Sequence, residues 1–186
     1  MSRSIRLSFL AVLSVAALAA GGCGEGSTSI KTTAETEGIY LDVGGMKYQI
    51  QMSRYLNPND IEDRGYLVGL PSGAEPTGEE TYFGVWMRVQ NLTDEPKPAA
   101  TEYEIHDTQD AVYRPIELDT NNNVFAYRGR DVAPQGLLPD PDSAAGEGPI
   151  QGALLLFKVT NASLQNRPLE FKIMQGGKEA TADLDV

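Results

Sequence analysis

Few residues in this chain could do chemistry, and Cys23 is the first of them. It is the only cysteine, and it follows an apolar run over residues 7–20 and the pair Gly21-Gly22. A basic start, an apolar stretch and small residues at its end are typical of a secretion signal. The run is about 14 residues long, whereas a membrane-spanning helix needs roughly 20. We therefore predict a lipoprotein signal peptide over residues 1–22, with Cys23 as the acylated new N-terminus.

The predicted lipid determines where the protein works. Acyl burial contributes about 0.8 kcal/mol per methylene, so two or three chains of palmitate length hold a protein stably at a membrane. The expected location is the extracytoplasmic face of the cell membrane. An alternative stays open, because Ala17-Leu18-Ala19 would suit an ordinary signal peptidase and release a secreted protein with a free thiol. With one cysteine, the chain cannot form an internal disulfide.

His106 is the only histidine, and it offers little for catalysis. A catalytic base must reach an activated nucleophile and be oriented by a third group. The sequence has no G-x-S-x-G elbow. Alternation in the segment 101–107 places His106 on the solvated side of a strand, beside Glu104. We expect no catalytic residue and no enzyme activity, with a hydrolase as the weakest alternative.

The segment PDPDSAAGEG offers Asp140, Asp142 and Glu147 as oxygen ligands of the kind that Ca²⁺ prefers. These residues lack the D-x-D-x-D-G spacing with a glutamate at position 12, so we expect a solvated acidic loop. The methionines at 46, 52 and 87 fall on predicted core faces, which favours packing over copper binding. No metal or other cofactor is predicted. A lipoprotein that binds a small ligand or Ca²⁺ remains an alternative function.

The charge of the chain excludes one class of partner. It has 15 basic and 26 acidic residues and a net charge of -11, which becomes -13 once Arg3 and Arg6 leave with the signal. An acidic domain repels phosphate backbones, so nucleic acid is not an expected partner. The 164 residues that follow the signal are enough for one domain with its own core.

Six segments alternate between apolar and polar residues, which is typical of strands with one buried and one solvated face. They are 46–52, 82–89, 101–107, 152–159, 169–174 and 179–186. No segment after the signal shows a convincing helical period, although PNDIED at 58–63 could supply a helical turn. The pattern predicts an all-β fold, an immunoglobulin-like antiparallel β-sandwich over residues 38–186. Residues 23–37 are small and polar and predict a flexible tether.

Two of the predicted strands carry large residues on the face that points away from the core. These outward residues are Tyr82, Trp86, Arg88, Leu154 and Leu156. Such residues mark either a binding patch or a covered face. The long connections 57–80 and 128–149 could supply a cover through Tyr66, Leu67, Leu70 or Leu137. The five outward residues are a candidate partner-binding patch, and burial under a loop is the interpretation that we favour.

Two motifs carry a resemblance to a known family. They are V-x-N-x-T-x-x-P at 89–96, in which Asn91 and Thr93 are expected to close a turn, and QG-x-LLLF-x-V at 151–159. Over about residues 38–175 the chain resembles uncharacterised envelope lipoproteins of high-GC Gram-positive bacteria. It is more distantly similar to secreted immunoglobulin-like domains that include a mycobacterial immunoprotective antigen. The resemblance implies a fold and no catalytic residues. We expect a non-enzymatic binding module, anchored to the membrane, whose partner is an envelope protein or ligand.

Overall fold

The computed structural model describes residues 29–186, and in them the predicted all-β sandwich is confirmed. The strands are β1 (Thr33–Ala34), β2 (Tyr40–Val43), β3 (Met46–Leu56), β4 (Glu80–Gln90), β5 (Lys97–Pro98), β6 (Glu102–His106), β7 (Val112–Tyr113), β8 (Asp131–Val132), β9 (Leu137–Leu138), β10 (Ala153–Thr160), β11 (Leu169–Gln175) and β12 (Lys178–Leu184). The helical elements are the one-turn helix α1 (Ala144–Glu147) and the 3₁₀ turns Asp63–Gly65 and Ser163–Gln165.

The strands form two main sheets. The first has the order β1-β12-β11-β6-β7, and the second has the order β10-β4-β3-β2. All pairs are antiparallel except β1 with β12, which run parallel. Strand β9 pairs with the end of β4, and β5 and β8 form a separate two-stranded ribbon. The six predicted strand segments correspond to β3, β4, β6, β10, β11 and β12.

The core lies between the two sheets and follows the predicted alternation. Phe83, Val85 and Met87 of β4 point inward and are fully buried. Phe157 of β10 meets Phe171 of β11 across the core, edge to face, with ring centroids 6.1 Å apart. Burial of apolar surface at about 25 cal/mol per Å² is the main term that holds such sheets together.

Met52 is an exception to the predicted alternation, because β3 contains a bulge. The pairing of β3 with β4 shifts register between Ile50 and Met52. One extra residue in a strand turns every later side chain to the opposite face. Met52 is therefore 40 % exposed, and Ser53 is buried in its place. The prediction of Met52 as a core residue was wrong, whereas Met46 and Met87 are buried as predicted.

The predicted tether is too long at its C-terminal end, because residues 31–37 join the body. The Lys31 N–H donates to Asp42 Oδ2 at 2.8 Å, and the Asp42 N–H donates to the Lys31 carbonyl at 2.6 Å. The Glu37 carboxylate accepts from the N–H groups of Ser53 and Asp185, at 3.1 and 3.2 Å. Edge strands offer unpaired backbone groups, so a polar segment can order on them without a large apolar face. Residues 23–28 lie outside the described residues.

The outer face of the second sheet is covered by two connections, which we call the cover layer. They are the loop 57–80 and the segment 114–127. The Tyr66 ring from the first meets Trp86 edge to face at 5.1 Å, and it lies 4.8 Å from Phe125 of the second. The buried cluster beneath and within this layer contains Leu56, Tyr66, Tyr82, Trp86, Leu154 and Leu156, with Leu67, Leu70, Ile116, Leu118, Phe125 and Ile150 packed against it.

Trp86 fits under this layer because residue 84 has no side chain. A Cβ atom at Gly84 would lie 2.7 Å from Cη2 and Cζ3 of the Trp86 indole and 3.1 Å from Leu154 Cδ1. Residues 84 and 86 are on the same face of β4, since side chains alternate along a strand. The spacing Gly-x-Trp therefore lets the indole lie over the backbone of its own strand.

We predict that Gly84→Ala destabilises the protein by about 1–3 kcal/mol, because the added methyl displaces the indole. The measurement is urea unfolding followed by the fluorescence of Trp86, the only tryptophan. Gly78→Ala is the matched control, because a Cβ at Gly78 has no atom within 4 Å. Equal unfolding midpoints for the two variants would contradict this packing.

Candidate functional site

The candidate partner-binding patch is not exposed in the structure, so that prediction was wrong. Tyr82, Trp86, Leu154 and Leu156 are at most 2 % exposed. The favoured interpretation was burial under a loop, and the loop 57–80 does supply Tyr66, Leu67 and Leu70. Leu137 does not join this cover; it lies in β9 and pairs with Gln90 of β4. Arg88 is half-buried and lines a cleft with Pro139, Pro141, Gly146, Glu147 and Gln151.

The second half of the cover layer was not predicted from the sequence. The segment 114–127 reaches the edge of the second sheet, where the Ile116 N–H donates to the Leu156 carbonyl at 2.6 Å. The Tyr127 N–H donates to the Leu154 carbonyl at 2.8 Å. The apolar pair Ile116 and Leu118, two residues apart, was the signal for this extended stretch.

Arg54 ties the start of the loop 57–80 to the sheet. The bulge in β3 turns this side chain to the outer face, and its guanidinium lies 5.3 Å from the Trp86 ring centroid and 5.9 Å from that of Tyr66. Arg54 Nη2 is 2.6 Å from Asp63 Oδ1, and Asp63 Oδ2 accepts from the Asn57 N–H at 2.7 Å. A cation stacked on aromatic faces and paired with a carboxylate is a cross-link between strand and loop.

Two opposing effects set the pKa of Asp63. Burial of the carboxyl group raises its pKa, since burial disfavours the charged form. The hydrogen bonds from Arg54 and from the Asn57 N–H, with the charge of Arg54, outweigh this effect and leave the pKa below its usual value. The carboxylate is therefore the form that the fold stabilises.

Asn123 joins the two halves of the cover layer. Its side-chain amide donates to the carbonyls of Tyr66 and Val68, both at 2.9 Å. Its Oδ1 accepts from the N–H groups of Phe125 and Ala126, at 2.9 and 3.1 Å. The residue is 2 % exposed, so each of these bonds replaces one that water would make to a buried backbone group.

Asn91 closes a turn, as predicted from the motif around it. The residue is fully buried, and its amide donates to the carbonyls of Glu95, Val132 and Ala133 at 2.7–3.1 Å. Its Oδ1 accepts from the N–H and the hydroxyl of Thr93, at 3.0 and 2.7 Å. The V-x-N-x-T-x-x-P motif thus connects the end of β4 to the segment before β9.

The remaining candidate residues lie apart from one another. His106 Nε2 is 2.8 Å from Glu104 Oε2 on the outer face of the first sheet. Asp140 Oδ1 forms an ion pair with Arg130 Nη2 at 2.5 Å. Within residues 29–186, no group of three or more His, Cys, Asp or Glu side chains comes close enough to hold a metal ion, and the trio Asp140, Asp142 and Glu147 does not form one.

Cys23 lies outside the described residues. Of the helices in residues 29–186, none is both long enough and apolar enough to cross a bilayer.

A cavity of about 400 Å³ lies between the segment 123–130 and the loop 138–145. We call it the arginine cavity, because Arg128 and Arg130 line it. Neither arginine was predicted as a site residue from the sequence. Their spacing was the available signal, because residues i and i+2 of an extended segment point to the same side.

Comparisons with known proteins find similar solved structures but no family. No family model matches the chain, and no curated protein matches it. The yjhA protein from Bacillus subtilis is similar with 6 % identity and a TM-score of 0.48, over 81 % of this chain and 99 % of that one. An uncharacterised β-sandwich protein from Clostridium difficile 630 has 11 % identity and a TM-score of 0.45, over 82 % of this chain and 95 % of that one. A conserved hypothetical protein from Bacillus anthracis has 9 % identity and a TM-score of 0.45, over 79 % of this chain and 94 % of that one.

We predict that Asn123→Ala costs about 3 kcal/mol in the free energy of unfolding, because buried carbonyl and N–H groups lose their partners. The exposed neighbour Asn121 makes no such bridge, so Asn121→Ala should change stability by no more than about 0.5 kcal/mol. Chemical denaturation measures both values. A cost for Asn123→Ala as small as that of its neighbour would show that the cover layer does not depend on this amide.

The lowered pKa of Asp63 predicts a pH dependence. The stability that this carboxylate contributes is present above its unfolded pKa of about 3.9 and is lost as the pH falls through the lower folded value. Asp63→Asn should therefore destabilise the protein by about 1–3 kcal/mol near neutral pH, and the difference from wild type should shrink below about pH 4.

Denaturation of wild type and Asp63→Asn between pH 3 and pH 7 tests this dependence. Glu62→Gln is the control, because Glu62 is the exposed acid next to Asp63. A difference between wild type and Asp63→Asn that stays constant over this range would contradict the role of the Asp63 charge.

Proposed function

We propose that the protein is a lipid-anchored lipoprotein of the extracytoplasmic membrane face, and that its β-sandwich is a non-enzymatic binding module of the cell envelope. The observation that carries this proposal is the lone cysteine at the end of the apolar run, followed by a domain without other cysteines. An acyl anchor of two or more chains explains the conjunction of these features.

The docked N-terminal segment gives the anchor a short reach. Among residues 29–186, the first one bonded to the body is Lys31, eight positions after Cys23. An extended chain spans at most about 3.6 Å per residue, so this segment covers at most about 29 Å. A body held at that distance meets partners at or near the membrane surface.

The geometry around His106 supports a non-enzymatic role. In the part of the chain that the structure describes, its ring hydrogen-bonds only to Glu104, and no serine, threonine or cysteine side chain is bonded to it. The acid–base–nucleophile arrangement of a hydrolase needs such a hydroxyl or thiol next to the base.

Replacement of Cys23 tests the anchor. In a bacterial host, we expect the wild-type chain in carbonate-washed membranes, with an N-terminal peptide that begins at acylated Cys23 by mass spectrometry. Cys23→Ser should abolish acylation and move the protein out of the membrane fraction. The double variant Cys23→Ser/Ser27→Cys is the control, because it keeps one thiol at the wrong position and should behave like the single variant.

One result of the same experiment would contradict the lipid anchor. Wild-type protein in the culture medium, with a thiol that reacts with N-ethylmaleimide, would contradict the anchor and support cleavage after Ala19.

A further inference from the structure

The arginine cavity has walls from two parts of the chain, each held by its own hydrogen bonds. On one side, the segment 123–130 is fixed to β10, where the Leu154 N–H donates to the Phe125 carbonyl at 2.7 Å and Ala126 bridges to Leu154. On the other side, Ser143 caps the N-terminus of α1, because its side chain accepts from the Gly146 N–H at 3.1 Å. The walls are therefore formed before any ligand arrives, which lowers the entropic cost of binding.

The charge of the cavity is opposite to that of the protein. Arg128 and Arg130 face Asp140, so the lining carries one excess positive charge, whereas the whole chain has a net charge of -11. The Arg130–Asp140 pair is solvated, with side-chain exposures of 38 % and 60 %, and such pairs contribute little. Arg128 Nη2 donates to the Thr120 carbonyl at 2.7 Å, which leaves most of the five donors of each guanidinium for a ligand.

Most of the remaining lining is small and apolar, and its uncharged polar residues are Thr120, Asn123 and Ser143. It includes Leu138, Pro139 and four alanines, at positions 126, 144, 145 and 153. Short side chains leave room where longer ones would fill the space. A volume of about 400 Å³ lies within the range of small-molecule sites, which combine apolar walls with a few polar groups.

Other clefts of the molecule lack this combination. A cleft beside β1 has Lys31 against Glu35, Glu170 and Asp183. A cavity of about 350 Å³ on the other side of Ala126 has Glu117 as its charged side chain. Neither would favour an anion.

We propose that the arginine cavity binds a small amphiphilic monoanion. Its carboxylate or sulfonate group lies between Arg128 and Arg130, and its compact apolar body lies against the alanines and Leu138. This site deepens the binding role proposed above by naming a ligand class, and it rests on that role but not on the anchor.

The test uses the mature chain, residues 23–186 with Cys23→Ser, and the fluorescent probe 8-anilinonaphthalene-1-sulfonate, which joins a sulfonate to apolar rings. We expect saturable binding with one site per chain. The double variant Arg128→Gln/Arg130→Gln should weaken the affinity about tenfold or more, since a hydrogen bond to a charged group is worth that much. Arg64→Gln/Arg114→Gln is the matched control and should bind like the parent.

Two further measurements separate the site from non-specific adsorption. Ala144→Phe should fill part of the cavity and lower the affinity without a change in the thermal midpoint, because Ala144 is exposed. 1-Naphthoate should displace the probe, and the neutral 1-naphthalenemethanol should not.

Three results would overturn the site. They are the absence of saturable binding, equal affinity in the Arg128→Gln/Arg130→Gln variant, and equal displacement by the neutral alcohol. Because the chain in this test carries no lipid, failure here leaves the anchor untouched, and failure of acylation in cells leaves this result untouched.

Discussion

The structure depends on the burial of one tryptophan side chain, that of Trp86. Trp86 lies on the outer face of the second sheet, where a two-layer sandwich would expose it, and it is fully buried there. Its burial requires three separate features of the chain: a glycine two residues earlier, an arginine turned outward by a bulge, and an asparagine that joins two loops. The third layer is therefore part of the folded core and not a set of loose connections.

Much of the fold could be predicted from local patterns. Alternation identified six strands and assigned the inward faces of β4, β10, β11 and β12 correctly, because side-chain direction in a strand is a local property. Met52 is an exception to the same rule. The bulge before it depends on pairing with the neighbouring strand, and the residue types in β3 do not indicate it. Residues 31–37 are an exception to the compositional rule, because their order comes from hydrogen bonds to sheet edges that are distant in sequence.

The candidate site shows the same division. The outward face around Trp86 was visible in the sequence, and the favoured interpretation was its burial under a long loop, either 57–80 or 128–149. The loop 57–80 is the one that covers it. The segment 114–127 was not recognised, since its contacts with Leu154 and Leu156 are long-range. Arg128 and Arg130 can be recognised as cavity residues only in the fold, which places Asp140 and small side chains around the same cavity. Patterns within a strand were readable, whereas juxtapositions between loops were not.

The large apolar residues that formed the candidate docking patch are buried and serve stability. The binding role that we propose would therefore use the periphery of the sheets. In our proposal, a short N-terminal segment holds the body near the predicted anchor. A cavity whose lining carries one excess positive charge lies in an otherwise acidic molecule.

Quenching of the Trp86 fluorescence by acrylamide tests the closed cover most directly. Because Trp86 is buried, we expect short-wavelength emission and weak quenching in the native protein, and we expect both properties to be lost together on unfolding in urea. Native emission at long wavelength, quenched as strongly as free tryptophan, would contradict the burial of Trp86 on which the structure depends.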